Sequence, residues 1–170
     1  MARSKTNMDI ILIGRVAEAG TLEAADRERD RLEAVYGMRY LSRGIEGLEA
    51  EFADEACMRE LTLGGCDIFI VGRQGICKAL WALGETLSCG LRVRLEDIPI
   101  SQFAIEIAEF VDENPYQMNS LGCVLACCDE GGALVDKLKK LGYMAAVIGY
   151  TVKDNIRGII NHDTITYLTP

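Results

Sequence analysis

Leu121 to Cys128 is an unbroken apolar run of strand length, and a run this short and this uniform implies a strand covered on both faces. Asn114-Pro115 closes whatever precedes it, because a residue before proline is pushed out of the α region. After the run, Asp129-Glu130-Gly131-Gly132 reads as a turn that opens a helix, with its acids near the positive end of the helix dipole. Leu134, Leu138 and Leu141 recur at helical spacing, Lys137, Lys139 and Lys140 stay wet, and Gly142 supplies the C′ residue. Tyr143 to Ile148 returns as a strand. A chain with this βαβ unit needs a sheet with helices packed against it.

The rest of the sequence is read outward from that unit. Met1 to Met8 is polar and is expected to be a flexible arm, leaving 9–170 as a single domain. Asp9 to Arg15 reads as a buried strand. Ala19-Gly20-Thr21 starts a helix with Thr21 as N-cap, Leu22, Ala25, Leu32, Val35 and Tyr36 share its inner face, and Gly37 ends it. Glu23 and Arg27 sit at i and i+4, ordinary helix-surface patterning. Tyr40 to Gly47, with two glycines, reads as a loop, and Leu48 to Leu61 as a second amphipathic helix stopped by Gly64-Gly65. Asp67 to Val71 is a strand, Gly72 to Gly75 a tight turn, and Ile76 to Leu87 a helix carrying Trp81. Leu91, Val93 and Leu95 alternate with Arg92 and Arg94, as in a half-buried strand. Ser101 caps a helix whose inner face is Phe103, Ile107 and Phe110. Two short strands, Ile156 to Ile160 and Thr164 to Leu168, close the chain as a hairpin.

Bulk properties remove several function classes. A formal charge of −8 argues against nucleic acid or an anionic membrane, since both need a basic face. No apolar run approaches the roughly 20 residues of a membrane span, and no signal peptide is visible, so a cytoplasmic protein is expected. The seven cysteines follow no metal spacing and read as small buried residues. Cys123, Cys127 and Cys128 have no histidine nearby to complete a tetrahedral set, so no metal site is expected. At 170 residues, a domain buries about 70% of its unfolded surface and needs no disulfide to hold a core.

N-P-Y-x-x-x-S-x-G, then an apolar strand, a helix and A-A-V-I-G resembles the C-terminal domain of the PurM/HypE superfamily. That superfamily includes aminoimidazole ribonucleotide synthetase (AIR synthase), the hydrogenase-maturation protein HypE, selenophosphate synthetase and thiamine-monophosphate kinase. The resemblance runs from Ile10 to Leu168 and implies an α+β fold, a three-layer α/β/α arrangement around a mixed sheet. In many active relatives the segment before a helix ending A-L-W reads H-D-x-T-E-G-G. Aligning on Ala79-Leu80-Trp81 puts Phe69 at the histidine, Ile70 at the aspartate, Gly72 at the threonine, Arg73 at the glutamate, and Gln74 and Gly75 at the glycines. Only the last glycine is kept.

Two segments become candidate substrate- or anion-binding elements. Gly72, Arg73, Gln74 and Gly75 join a strand to a helix N-terminus, where free N–H groups favour an anion and Arg73 adds a forked donor. Asn114, Asn119, Ser120 and Gly122 match a family segment that resembles a loop facing the cleft between domains; the plainer reading is that Asn114 and Ser120 shape a turn. Arg92 and Arg94 are weaker extensions of the same face. Neither G-x-x-x-x-G-K-[ST] nor G-x-G-x-x-G occurs. The resemblance implies that ATP and magnesium belong to an N-terminal domain with no counterpart here, so this chain alone is expected to bind neither. The functional expectation is the substrate-side domain of an ATP-dependent enzyme that phosphorylates a carbonyl or amide oxygen. The alternative is a stand-alone, catalytically degenerate ligand-binding or interaction module, self-associating through the surface an ATP domain would cover.

Overall fold

In the computed structural model, which describes residues 5–170, β1 (Asp9–Ile13) is an interior strand of a seven-stranded sheet. Ile10, Ile11, Leu12 and Ile13 are all 0% exposed. Successive strand side chains point to opposite faces, so both faces of β1 must be covered. Antiparallel neighbours flank it: β4 (Val124–Cys128) with Ile11 opposite Ala126, and β5 (Ala145–Val152) with Ile11 opposite Val147. The sheet continues as β2 (Asp67–Ile70), β4, β1, β5, β3 (Gly90–Arg94), β6 (Arg157–Asn161) and β7 (Thr164–Tyr167). Only β3 and β6 pair in parallel, so the sheet is mixed and the fold α+β.

The βαβ unit exists, with β1 inserted between its two strands. β4, α7 (Gly131–Lys140) and β5 follow in sequence, and β1 lies between β4 and β5. The helix ends as its residues dictate. Gly142 has φ +93°, its N–H donates to Lys139 O, and Tyr143 N–H donates to Leu138 O, a Schellman closure. Leu138 and Val135 face the core, while Leu141 is exposed.

The first helix differs from expectation. It begins at Glu18, and Thr21 is buried inside it rather than capping it. Gly20 allows that course, because a Cβ there would lie 2.9 Å from Asn119 N. The helix breaks at Glu28 into α1 (Glu18–Arg27) and α2 (Arg29–Tyr36), which resets its phase. Leu22 and Val35 therefore turn outward, and Ala24, Ala25 and Leu32 form the buried face. Arg27 reaches Glu113 and Glu28, not Glu23.

Of residues 40–47, expected as a loop, 40–46 belong to helix α3 (Met38–Glu46) and Gly47 is its C-cap. Gly44 is there for close packing: a Cβ would sit 2.3 Å from the Phe103 ring. Phe103 comes from α6 (Gln102–Val111), which Ser101 caps by accepting from Ala104 N–H. α1, α2, α3 and α6 form a second apolar cluster beside the sheet core.

Residues 48–54 are not helical. The next helix, α4 (Glu55–Leu63), starts at Asp54, whose carboxylate accepts from Cys57 N–H and from the Tyr143 hydroxyl. The Tyr143 bond, then the backbone bond, hold the Asp54 pKa below the usual carboxylate value, and the same bond pushes the Tyr143 phenol up to about 12. A lowered folded pKa gives stability that is present above the unfolded value, about 3.9, and lost as pH falls through the folded value. A Tyr143→Phe variant should therefore have a lower urea midpoint than wild type at about pH 7, with the gap closing below about pH 4.

Of the expected arm, residues 1–4 lie outside the described residues, and residues 5–8 are held rather than free. Lys5 pairs with Asp67, Asn7 N–H donates to Thr151 O, and Met8 is buried with its N–H on Thr151 Oγ1. No described helix is long and apolar enough to cross a membrane.

Candidate functional site

The turn after β2 carries the chain into α5 (Gly75–Leu87), and its geometry is set at Gly75. This residue has φ +80°, and its α-carbon lies so close to the neighbouring wall that a Cβ would sit 2.6 Å from Tyr116 O. Gly72 O accepts from both Gly75 N–H and Ser120 N–H, each at 3.2 Å. The two candidate segments, 72–75 and 114–122, are thus in direct contact.

Between them and the closing hairpin is a cleft of about 620 Å³, inside the usual range for small-ligand sites. Arg73 and Gln74 line it from the turn, Cys77 and Lys78 from the first turns of α5, and Asn114, Tyr116 and Gln117 from the opposite wall. Ile159, Asn161 and the 166–170 segment complete it. No Asp or Glu side chain lines the cleft, although the chain as a whole carries a net charge of −8.

Each expected residue now has a place. Arg73 donates to Glu23 Oε1 at 3.0 Å, so its charge is compensated. Asn119 Nδ2 donates to the same Glu23 oxygen, and its Oδ1 accepts from Leu121 N–H. Asn114 Oδ1 accepts from Tyr116 N–H, fixing the one-turn 3-10 segment Pro115–Gln117 that forms the wall. Ser120 is 1% exposed; its Oγ accepts from Ala17 N–H and donates to Met118 O. Gly122, with φ +99°, packs against Ala50 O away from the cleft. Arg73, Gln74 and Asn114 line the cleft, whereas Asn119, Ser120 and Gly122 form the frame behind it. Arg92 and Arg94 are committed elsewhere, to Asp154 and Asp97.

Ser120→Ala would leave the buried Ala17 N–H without an acceptor at the start of α1. The expected loss is about 1–3 kcal/mol of stability, read as a shift in urea midpoint.

Sequence reasoning missed Glu23, Lys78, Tyr116 and Asn161. Glu23 and Arg73 lie 50 positions apart, so no local pattern announces their pairing. Lys78, by contrast, could have been found: it lies one turn into the helix that follows the glycine turn. It has no carboxylate partner among the described residues. Burial raises the Tyr116 phenol and the Cys77 thiol, keeping both neutral at physiological pH. The cleft therefore offers hydrogen-bond donors and the cationic side chains of Arg73 and Lys78, with no Asp or Glu side chain to act as a base. Among the described residues, no three His, Cys, Asp or Glu side chains cluster so as to hold a metal ion.

Comparison with solved structures gives strong matches. HypE in a HypE–HypF complex superposes with a TM-score of 0.77 at 15% identity, covering 97% of this chain and 53% of that one. The chain has the PurM/HypE fold. HypE from E. coli matches with a TM-score of 0.74 at 14% identity, over 96% of this chain and 50% of that one. Thiamine-monophosphate kinase from Stenotrophomonas maltophilia matches with a TM-score of 0.66 at 16% identity, over 92% of this chain and 51% of that one. The chain spans about half the length of these relatives. No protein-family model and no curated protein matches the sequence.

Proposed function

We propose that this chain is the substrate-side half of an ATP-dependent enzyme of the PurM/HypE type, and that its cleft takes a small phosphorylated or otherwise anionic ligand. The observation that carries this reading is the junction of the two segments at Gly75 and Tyr116, beside a cleft with two cations and no acidic side chain. Arg73, steadied by Glu23, and Lys78 provide the charge; Asn114, Gln117 and Asn161 provide neutral polar groups. Among the matched structures, one HypE is solved in complex with ATP. In this proposal the nucleotide and its magnesium belong to the other half, because no Asp or Glu side chain lines this cleft to receive a divalent cation. This half binds and orients the group to be phosphorylated.

The second reading is a stand-alone ligand-binding module of the same fold. It is favoured by Ile70, which stands where many relatives carry an aspartate and is 63% exposed on edge strand β2. An isoleucine there can neither hold a metal nor move a proton.

The intact mass of the endogenous protein tests the first reading. A mass roughly twice 18.7 kDa, or an 18.7 kDa chain in a one-to-one complex with an ATP-binding chain, supports it. An 18.7 kDa protein that is isolated without such a partner, and gains no ATPase activity when an N-terminal domain of a PurM/HypE-type protein is added, contradicts it.

A further inference from the structure

Away from the cleft, two cysteines face each other across the sheet. Cys66 directly precedes β2, and Cys128 ends β4. The register pairs Asp67 with Cys127 and runs on to set Cys66 opposite Cys128. Val71 N–H donates to Cys123 O in the same ladder. Hydrogen-bonded and non-bonded pairs alternate, so five positions back Cys66 and Cys128 form a non-bonded pair, with α-carbons about 4.5 Å apart. That spacing lies within what a disulfide spans.

The backbone that presents Cys66 is itself pinned. α4 ends in a Schellman motif: Gly65 N–H donates to Thr62 O, and Cys66 N–H donates to Leu61 O. Gly131 N–H donates to Asp9 Oδ2, fixing the chain just after Cys128. Cys128 lines a groove between α4 and α7, edged by the Glu60–Lys137 ion pair. Cys66 is partly exposed, and Cys128 is buried at 3%. The thiols interact directly: Cys66 donates to the Cys128 sulfur, a bond that raises the Cys66 thiol and lowers that of Cys128.

We propose that Cys66 and Cys128 are a redox-active dithiol that closes to a cross-strand disulfide on reaction with a low-molecular-weight disulfide such as oxidised glutathione. The pair loses a proton from Cys128, the remaining proton passes across the thiol–thiol contact from Cys66 to Cys128, and the thiolate this leaves at the more accessible Cys66 attacks one glutathione sulfur, releasing a glutathione thiolate. Cys128 then loses its proton and attacks the Cys66 sulfur of the mixed disulfide, expelling the second glutathione thiolate. Both released thiolates take up the two protons. Overall, two protein thiols are oxidised by two electrons, and one oxidised glutathione becomes two reduced ones. The bond ties edge strand β2, which ends at the glycine turn of the cleft, to β4 in the sheet interior.

The test incubates the full chain in glutathione buffers of rising oxidised fraction and measures intact mass and cross-linked peptides. The expected result is loss of two hydrogens, a peptide joining Cys66 to Cys128, and full reversal by dithiothreitol. Cys128→Ser should instead accumulate a glutathione adduct on Cys66, which tests the order of attack without the cross-link. The inference is overturned by an unchanged mass in the most oxidising buffer, or by a cross-link mapping to any other pair of cysteines. Oxidation of Cys66→Ser to the same two-hydrogen loss as wild type would overturn it equally.

Discussion

Gly75→Ala is expected to destabilise the protein by about 3 kcal/mol and to lower its thermal midpoint by about 6–12 °C. Two costs combine. An L-residue at φ +80° sits in the left-handed region, and the new methyl would lie 2.6 Å from Tyr116 O and 2.7 Å from Gln117 Cα. Those are backbone atoms, so no side-chain rotation relieves the contact; the cleft wall must move. The neighbouring Gly72→Ala is the control, because a Cβ there meets nothing within 4 Å. It should stay within about 0.5 kcal/mol of wild type. Equal effects of the two substitutions in urea denaturation would show that the junction at Gly75 does not position the cleft.

The second large effect is expected in the sheet interior, on β1. Leu12→Ala should cost about 3–5 kcal/mol, since Leu12 is wholly buried in a strand paired on both sides and its surroundings cannot collapse into the gap. That is a large share of the roughly 5–15 kcal/mol that holds a domain together. Leu63→Ala, at a position 74% exposed near the end of α4, should be nearly neutral. A small loss at Leu12 would mean that β1 is not the strand around which both faces are packed.

Much of the fold could be read wherever local pattern and tertiary role coincide. β4, α7 and the Gly142 stop follow from an apolar run, a helical period and a glycine that must be left-handed. The insertion of β1 between β4 and β5 could not be read, because pairing over more than 100 positions leaves no trace in either strand's own residues. The misread segments share one cause. Gly20 and Gly44 suggest turns, yet both lie inside helices and admit a neighbour, the Asn119 backbone or the Phe103 ring, where a side chain would clash. Phe52 matches a helical period with Leu48, but its ring packs on Gly14 and its N–H bonds Gly122 O in a non-helical segment.

The candidate site was partly legible for a similar reason. The glycine turn and Asn114-Pro115 are local signals, and Arg73, Gln74 and Asn114 from these segments line the cleft. Asn119, Ser120 and Gly122 carry the same family resemblance, yet their hydrogen bonds and packing go to the α1 start, Glu23 and Ala50. They form the frame behind the cleft and do not line it.

The most direct measurement of the proposed ligand chemistry is a titration of the full chain with inorganic pyrophosphate, followed by backbone amide chemical shifts. The account predicts saturable shifts concentrated at residues 73–78 and 114–117 and at Asn161. It also predicts about tenfold weaker binding in Lys78→Ala, the loss of one charge-assisted hydrogen bond. Shifts that fail to saturate, or that centre on Lys137, Lys139 and Lys140 at the end of α7 and ignore Lys78→Ala, would contradict it.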